Sequence, residues 1–192
     1  MSPDFDKNLI KRCKKGDTKA LEELYRKTSS TLLGVCLRYT KNIQDAEDVF
    51  HEGFIKILKK INQVNDENKI LSWMIRIMAN TAINFLKKNK KLAENDFEDN
   101  LDYNVNNNDE IIKNDENLIL NMISEHELYK LIEDLPDGYR IVLNLYAIEG
   151  YTHKEIAEML GISVSTSKTQ YQKAKNKLKK AIEEKLSFNQ KH

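Results

Sequence analysis

The amino-acid sequence predicts an all-α protein: two small helical domains joined by a flexible acidic linker. Three observations predict it. The 192 residues include only 2 prolines and 6 glycines, so helix interiors are seldom interrupted. Apolar residues near both ends of the chain recur at helical period rather than in the alternation of a strand. Between them lies an Asn- and Asp-rich stretch without periodicity, which cannot bury enough apolar area to offset the entropy of ordering it. The expected boundaries are 5–91 for the first domain, 92–123 for the linker and 124–187 for the second domain.

Residues 5–15 form a short amphipathic segment with Phe5, Leu9, Ile10 and Cys13, closed by Gly16. Asp17 can accept from the free amides of a first turn and so caps a second helix running to about Tyr39, where Asn42 breaks it. Leu21, Leu24, Tyr25, Leu32, Val35, Cys36 and Tyr39 lie near one side of that helix. Ala46, Val49, Phe50, Gly53, Phe54, Ile57, Leu58 and Ile61 then form one continuous stripe. Asp45, Glu47 and Asp48 sit in the first turn of that helix, where negative charge complements the dipole. Residues 62–69 read as a polar loop. Leu71, Met74, Ile75, Met78, Ala79, Ala82 and Leu86 mark the buried face of a fourth helix, which ends in Lys87, Lys88, Lys90 and Lys91. A short helix near 116–123 interrupts the linker.

In the second domain Ser124 and Glu127 have capping-box spacing ahead of Leu128, Leu131, Ile132 and Leu135. Pro136 opens a helix carrying Ile141, Val142, Leu145 and Tyr146, and Gly150 closes it. Thr152 and Glu155 repeat the capping box before Ile156, Ala157 and Leu160. Gly161 supplies a left-handed turn, Ile162 plugs the core, and Ser163 caps a long helix to about Leu186. This order of cap, small residue, turn glycine, apolar plug and second cap is that of a helix-turn-helix over Thr152 to Lys180.

The net charge of +1 conceals a division along the chain. Residues 1–90 hold 18 Lys/Arg against 11 Asp/Glu; residues 91–134 hold 3 against 13; residues 151–192 hold 9 against 4. Two basic blocks flank an acidic one, and basic blocks suit phosphate backbones. Positions 168–180 carry six lysines and no acid. Phased at helical pitch, Tyr171, Ala174, Leu178 and Ile182 point inward. Ser165, Thr166, Lys168, Thr169, Gln172 and Lys173, near the start of this helix, are short or polar enough to reach base edges and phosphates.

The stretch EGYTHKEIAEMLGISVSTSKTQYQKAKNKLKK, Glu149 to Lys180, resembles region 4 of the sigma-70 family. DAEDVFHEGFIKI, Asp45 to Ile57, is similar to region 2.2, and LSWMIRIMANTAINFLKK, Leu71 to Lys88, to regions 2.3–2.4. Two domains without a third match the extracytoplasmic-function (ECF) subgroup. The resemblance implies an alternative sigma factor. Its region 4 reads the promoter −35 element through Ser165, Thr166, Lys168, Thr169, Gln172 and Lys173. Its region 2 opens and reads the −10 element through Arg76, Asn80, Asn84, Lys87 and Lys88. Asp45, Asp48, Glu52 and Lys56 contact core RNA polymerase, with Asp48, Glu52 and Lys56 on one helix face. Asn80 and Asn84 stand one turn apart on a stripe with Trp73, Ile77 and Lys87, and asparagine is a poor interior helix residue. The chain departs from the family in having His51 and Gly53 where Gln and Thr are usual, and Lys173 and Lys175 in place of arginines. Lysine is a point charge without arginine's fork, so phosphate contact suits Lys173 better than base reading.

The expected partners are core RNA polymerase and promoter DNA; the resemblance leaves open an anti-sigma factor. A LuxR-like helix-turn-helix regulator is the alternative, but it would need a receiver or ligand domain with strands, and residues 1–90 have only helical periodicity. A helical adaptor binding protein alone fits poorly with the lysine-lined last helix. No run approaches the length of a membrane span, and the first residues lack an apolar signal core, so a cytoplasmic protein without membrane insertion is expected. His51, His126, His153 and His192 have no metal-ligand spacing with each other or with Cys13 and Cys36, which read as free thiols. No phosphate-binding glycine loop or nucleophile elbow occurs. The expectation is therefore no enzyme, no cofactor, no metal and no small-molecule substrate.

Overall fold

The protein is described by a computed structural model covering residues 7–89, Phe97 and 123–189. The chain divides into two compact units, Met1–Lys91 and Leu92–His192. All regular structure among the described residues is helical. Phe5, Lys90, Lys91 and the expected linker, apart from Phe97 and Ile123, lie outside them, as does nearly all of the short helix expected over 116–123.

The first unit contains α1 (Lys7–Lys14), α2 (Thr18–Thr40), α3 (Ile43–Lys60) and α4 (Ile70–Lys88). Helices α2, α3 and α4 pack against one another and α1 lies on α2. Asp17 caps α2 by accepting from Ala20 N–H at 3.1 Å and takes the Arg12 Nε–H at 2.9 Å. That guanidinium, helped by the Ala20 amide, lowers the Asp17 pKa. The second helix ends at Lys41, in the left-handed region at φ 65°. Asn42 does more than break α2: its side chain accepts from Asp45 N–H at 2.8 Å and begins α3.

The stripe expected on α3 is buried from Ala46 to Ile57, with Leu58 half-buried and Ile61 buried just beyond the helix. Tyr25, expected on the inward side of α2, is 42% exposed. Its ring meets Phe54 and Phe50 edge-on, at 5.0 and 5.6 Å, and so covers the rim of the core. On α4 the buried residues are Ile70, Met74, Met78, Ala79, Thr81, Ala82, Ile83 and Leu86, while Leu71 and Ile75 are half-buried. This helix packs on α2 and α3 together, so its buried face is wider than one stripe. The expected loop over 62–69 is partly ordered into 3-10 turns at Ile61–Gln63 and Glu67–Lys69. Val64 is buried between them, and its carbonyl accepts from Lys14 Nζ at 2.7 Å.

The second unit contains α5 (Glu125–Glu133), α6 (Asp137–Leu143), α7 (His153–Leu160) and α8 (Val164–Asn189). Helix α8, three residues longer than expected, packs against the other three. Both capping boxes form, at Ser124/Glu127 and at Thr152/Glu155. Gly161 takes φ 75° at the end of α7, a conformation that costs a residue with a Cβ about 1–2 kcal/mol. Ser163 Oγ accepts from Thr166 N–H at 2.9 Å as the expected cap of α8. Leu135, Leu143 and Ala174 form a core cluster, with Ile132, Tyr139, Tyr171 and Leu178 against it. Ile162, expected as a plug, is only half-buried. The helix expected to carry Tyr146 inward changes at Asn144–Ile148 into a π turn. The wider turn shifts the side-chain phase: Leu145 stays buried while Tyr146 reaches the surface at 38% exposure.

Candidate nucleic-acid and polymerase interfaces

Helix α7, the Gly161 turn and α8 place the expected reading residues in the first turns of α8. Ser165 and Lys168 are exposed; Thr166, Thr169, Gln172 and Lys173 are half-buried. The Thr166 hydroxyl lies 2.8 Å from Ser163 Oγ and is thereby oriented by the cap. Lys177, Lys179 and Lys180 are exposed further along, and Lys175 Nζ stands 5.1 Å from the centre of the Tyr171 ring. Burying Ala174, Ser167 and Gln170 turns the lysine-bearing side of α8 outward.

His153 opens α7 and meets α8 directly. Its ring stacks on Tyr146, with centroids 4.2 Å apart and planes at 13°, and its Nδ1 lies 2.9 Å from Ser167 Oγ. Burial, and then the neighbouring Lys168 charge, push the His153 pKa below its ordinary value. Sequence reading missed this contact, because the periodicity of each helix does not say which residues of two helices meet. An aromatic residue and a histidine flanking the Gly150 turn are the only local sign.

In the first unit Asp48 and Glu52 are exposed on α3, and Asp45 and Lys56 are half-buried. Lys56 Nζ is 2.6 Å from Glu52 Oε1 and donates to Thr81 Oγ1 of α4 at 3.3 Å. The Asp45 carboxylate accepts from Asn42 Nδ2 at 2.7 Å. On α4, Arg76, Asn80, Asn84, Lys87 and Lys88 are all exposed. Trp73 and Ile77, on the same stripe, are half-buried. Asn80 donates to the Arg76 carbonyl at 2.8 Å, so its amide is tied along the helix. Burial raises the Cys36 thiol to about 12 and also pushes Cys13 up, so both are poor nucleophiles. Among the described residues no group of His, Cys, Asp and Glu could hold a metal ion, and no helix is long and apolar enough to cross a membrane.

A basic recognition helix set on a short capped helix by a left-handed glycine defines a helix-turn-helix DNA-binding protein. Comparison with known proteins narrows the class. Residues 24–92 match the family described as Sigma-70 region 2, and residues 125–178 match Sigma-70, region 4. The ECF RNA polymerase sigma-E factor of Haemophilus influenzae is 28% identical over 181 residues, covering 93% of this chain and 95% of that protein. The ECF RNA polymerase sigma factor SigW of Bacillus subtilis is 28% identical over 179 residues, covering 92% and 96%. A solved structure of CnrH in complex with the cytosolic domain of CnrY shares the fold, with a TM-score of 0.50, 19% identity, and coverage of 94% of this chain and 98% of that one. The chain belongs to the sigma-70 family, in its ECF branch, whose members direct promoter-specific initiation of transcription.

Proposed function

We propose that residues 5–91 act as sigma region 2 and residues 124–187 as sigma region 4, with 92–123 as the acidic linker between them. Core RNA polymerase is held by Asp45, Asp48, Glu52 and Lys56 on α3. Asn80 and Asn84 contact bases of the −10 element, and Arg76, Lys87 and Lys88 hold its phosphates. Ser165, Thr166, Lys168, Thr169, Gln172 and Lys173 meet the −35 element, with Lys173 on phosphate. The supporting observation is the outward side of α8, where positions 168–180 carry six lysines and no acid while uncharged Ser167, Gln170 and Ala174 are buried. A helix that merely faced water would be expected to interleave acids and bases along its outer side.

The chain does no covalent chemistry in this reading. Opening of the −10 region draws on binding energy for the separated strand, which offsets unstacking of a few kcal/mol. It acts in the cytoplasm, where polymerase and promoter are. CnrH was solved with a protein partner; an inhibitory protein partner for this chain is the further reading that its sequence left open. The test is reconstitution with purified core RNA polymerase, followed by affinity capture and run-off transcription on a genomic fragment library. A stable complex that starts at a defined set of promoters is expected. Failure to form the complex overturns the reading.

A further inference from the structure

Helix-turn-helix reading depends on the angle at which the second helix leaves the first, because that angle sets where its first turn meets the groove. In this chain a polar contact joins the two helices near their starts, His153 Nδ1 to Ser167 Oγ at 2.9 Å. Ser167 is fully buried, and its own N–H is donated to the Ser163 carbonyl at 3.0 Å. The imidazole is held in turn by rings on two sides. Tyr146 stacks on it at 4.2 Å, Tyr171 stands 5.9 Å away, and the two tyrosines meet each other at 4.6 Å. Ser167 lies between Thr166 and Lys168, both assigned to DNA above.

We propose that His153 is a positioning residue for promoter reading: by clasping Ser167 it fixes the start of α8 against α7, and so sets where Thr166, Lys168 and Thr169 meet DNA. The aromatic pair narrows the orientations open to the imidazole ring and so keeps its Nδ1 aimed at Ser167 Oγ. A buried serine hydroxyl is costly to leave without a hydrogen-bond partner, and here a partner comes from the other helix. The inference rests on the assignment of α8 to the −35 element.

The test uses full-length protein bound to core RNA polymerase and a duplex pool randomised across the −35 position. The wild-type holoenzyme enriches one sequence, which then serves as the specific probe against a scrambled duplex. Ser167→Ala and His153→Phe are each expected to lower the ratio of specific to scrambled binding about three- to tenfold, the worth of one net hydrogen bond. The double variant loses no more than either alone. His153→Asn, which keeps a polar atom near the Nδ1 position, recovers much of the ratio, whereas a purely packing role would favour the phenylalanine. Thermal unfolding of each variant separates loss of fold from loss of reading, and Ser167→Ala, the smaller change, carries the test if His153→Phe unfolds. Unchanged discrimination in a folded Ser167→Ala variant overturns the clasp. Absence of any enriched sequence with the wild type overturns instead the −35 assignment on which it stands.

Discussion

Met78 of α4 places its sulfur in the volume that a Cβ on Gly53 of α3 would occupy. The absence of a side chain at residue 53 therefore brings α3 and α4 together, and Met78 is fully buried there. Gly53→Ala would gain about 1 kcal/mol of helix propensity in an open position. Here overpacking of about 1–3 kcal/mol opposes that gain, so a net loss of stability of about 1 kcal/mol is expected. Combining it with Met78→Ala should be less harmful than the sum of the two changes, since the new methyl fills part of the space. Denaturant unfolding of the four proteins in the cycle measures the coupling; strict additivity would refute it.

Acid should weaken the second unit through Glu127. The Ser124 hydroxyl, followed by the Lys185 ammonium and the Ser124 amide, holds this carboxylate down to about 2, against an ordinary 4.5. A folded-state pKa below the unfolded value means that the stabilisation is fully present above pH 4.5 and is lost as pH falls toward 2. Glu127→Gln should flatten the fall in melting temperature over that window, and an unaltered slope would remove Glu127 from the cause.

Gln170 is 1% exposed, and neither amide atom of its side chain has a hydrogen-bond partner among the described residues. A buried amide without partners costs about 1–3 kcal/mol. Gln170→Met keeps the length and removes the amide, so the second unit should gain about 1–2 kcal/mol in urea unfolding. A loss of stability would mean that the amide is satisfied.

Lys173→Ala tests phosphate contact on α8. Each phosphate neutralised adds about 0.9 to the slope of log affinity against log salt. The variant should bind promoter duplex more weakly across sequences, with a slope lower by about that amount. A salt dependence identical to wild type would take Lys173 off the backbone.

Charge reversal at Asp48 and Glu52 should weaken capture by core polymerase about tenfold or more, since like charge then faces like across the contact. Folding should be little affected: the Glu52–Lys56 pair is a partly exposed i,i+4 contact at 2.6 Å, a class worth about 0.3–0.5 kcal/mol. Equal capture of variant and wild type would move the interface elsewhere on the unit.

The helical class, the caps at Asp17, Ser124 and Thr152, and the left-handed Gly161 were all legible in the sequence, because each depends on residues within one turn of each other. The α3 stripe was legible for a similar reason: it repeats at the pitch of a single helix. The outward lysines of α8 followed once its apolar side was phased. Tertiary structure alone decided which residues of different helices meet. Met78 over Gly53, Tyr25 against Phe54, His153 at Ser167 and the π turn that carries Tyr146 outward all depend on helix crossings, and a one-dimensional period has no term for the distance between two helices.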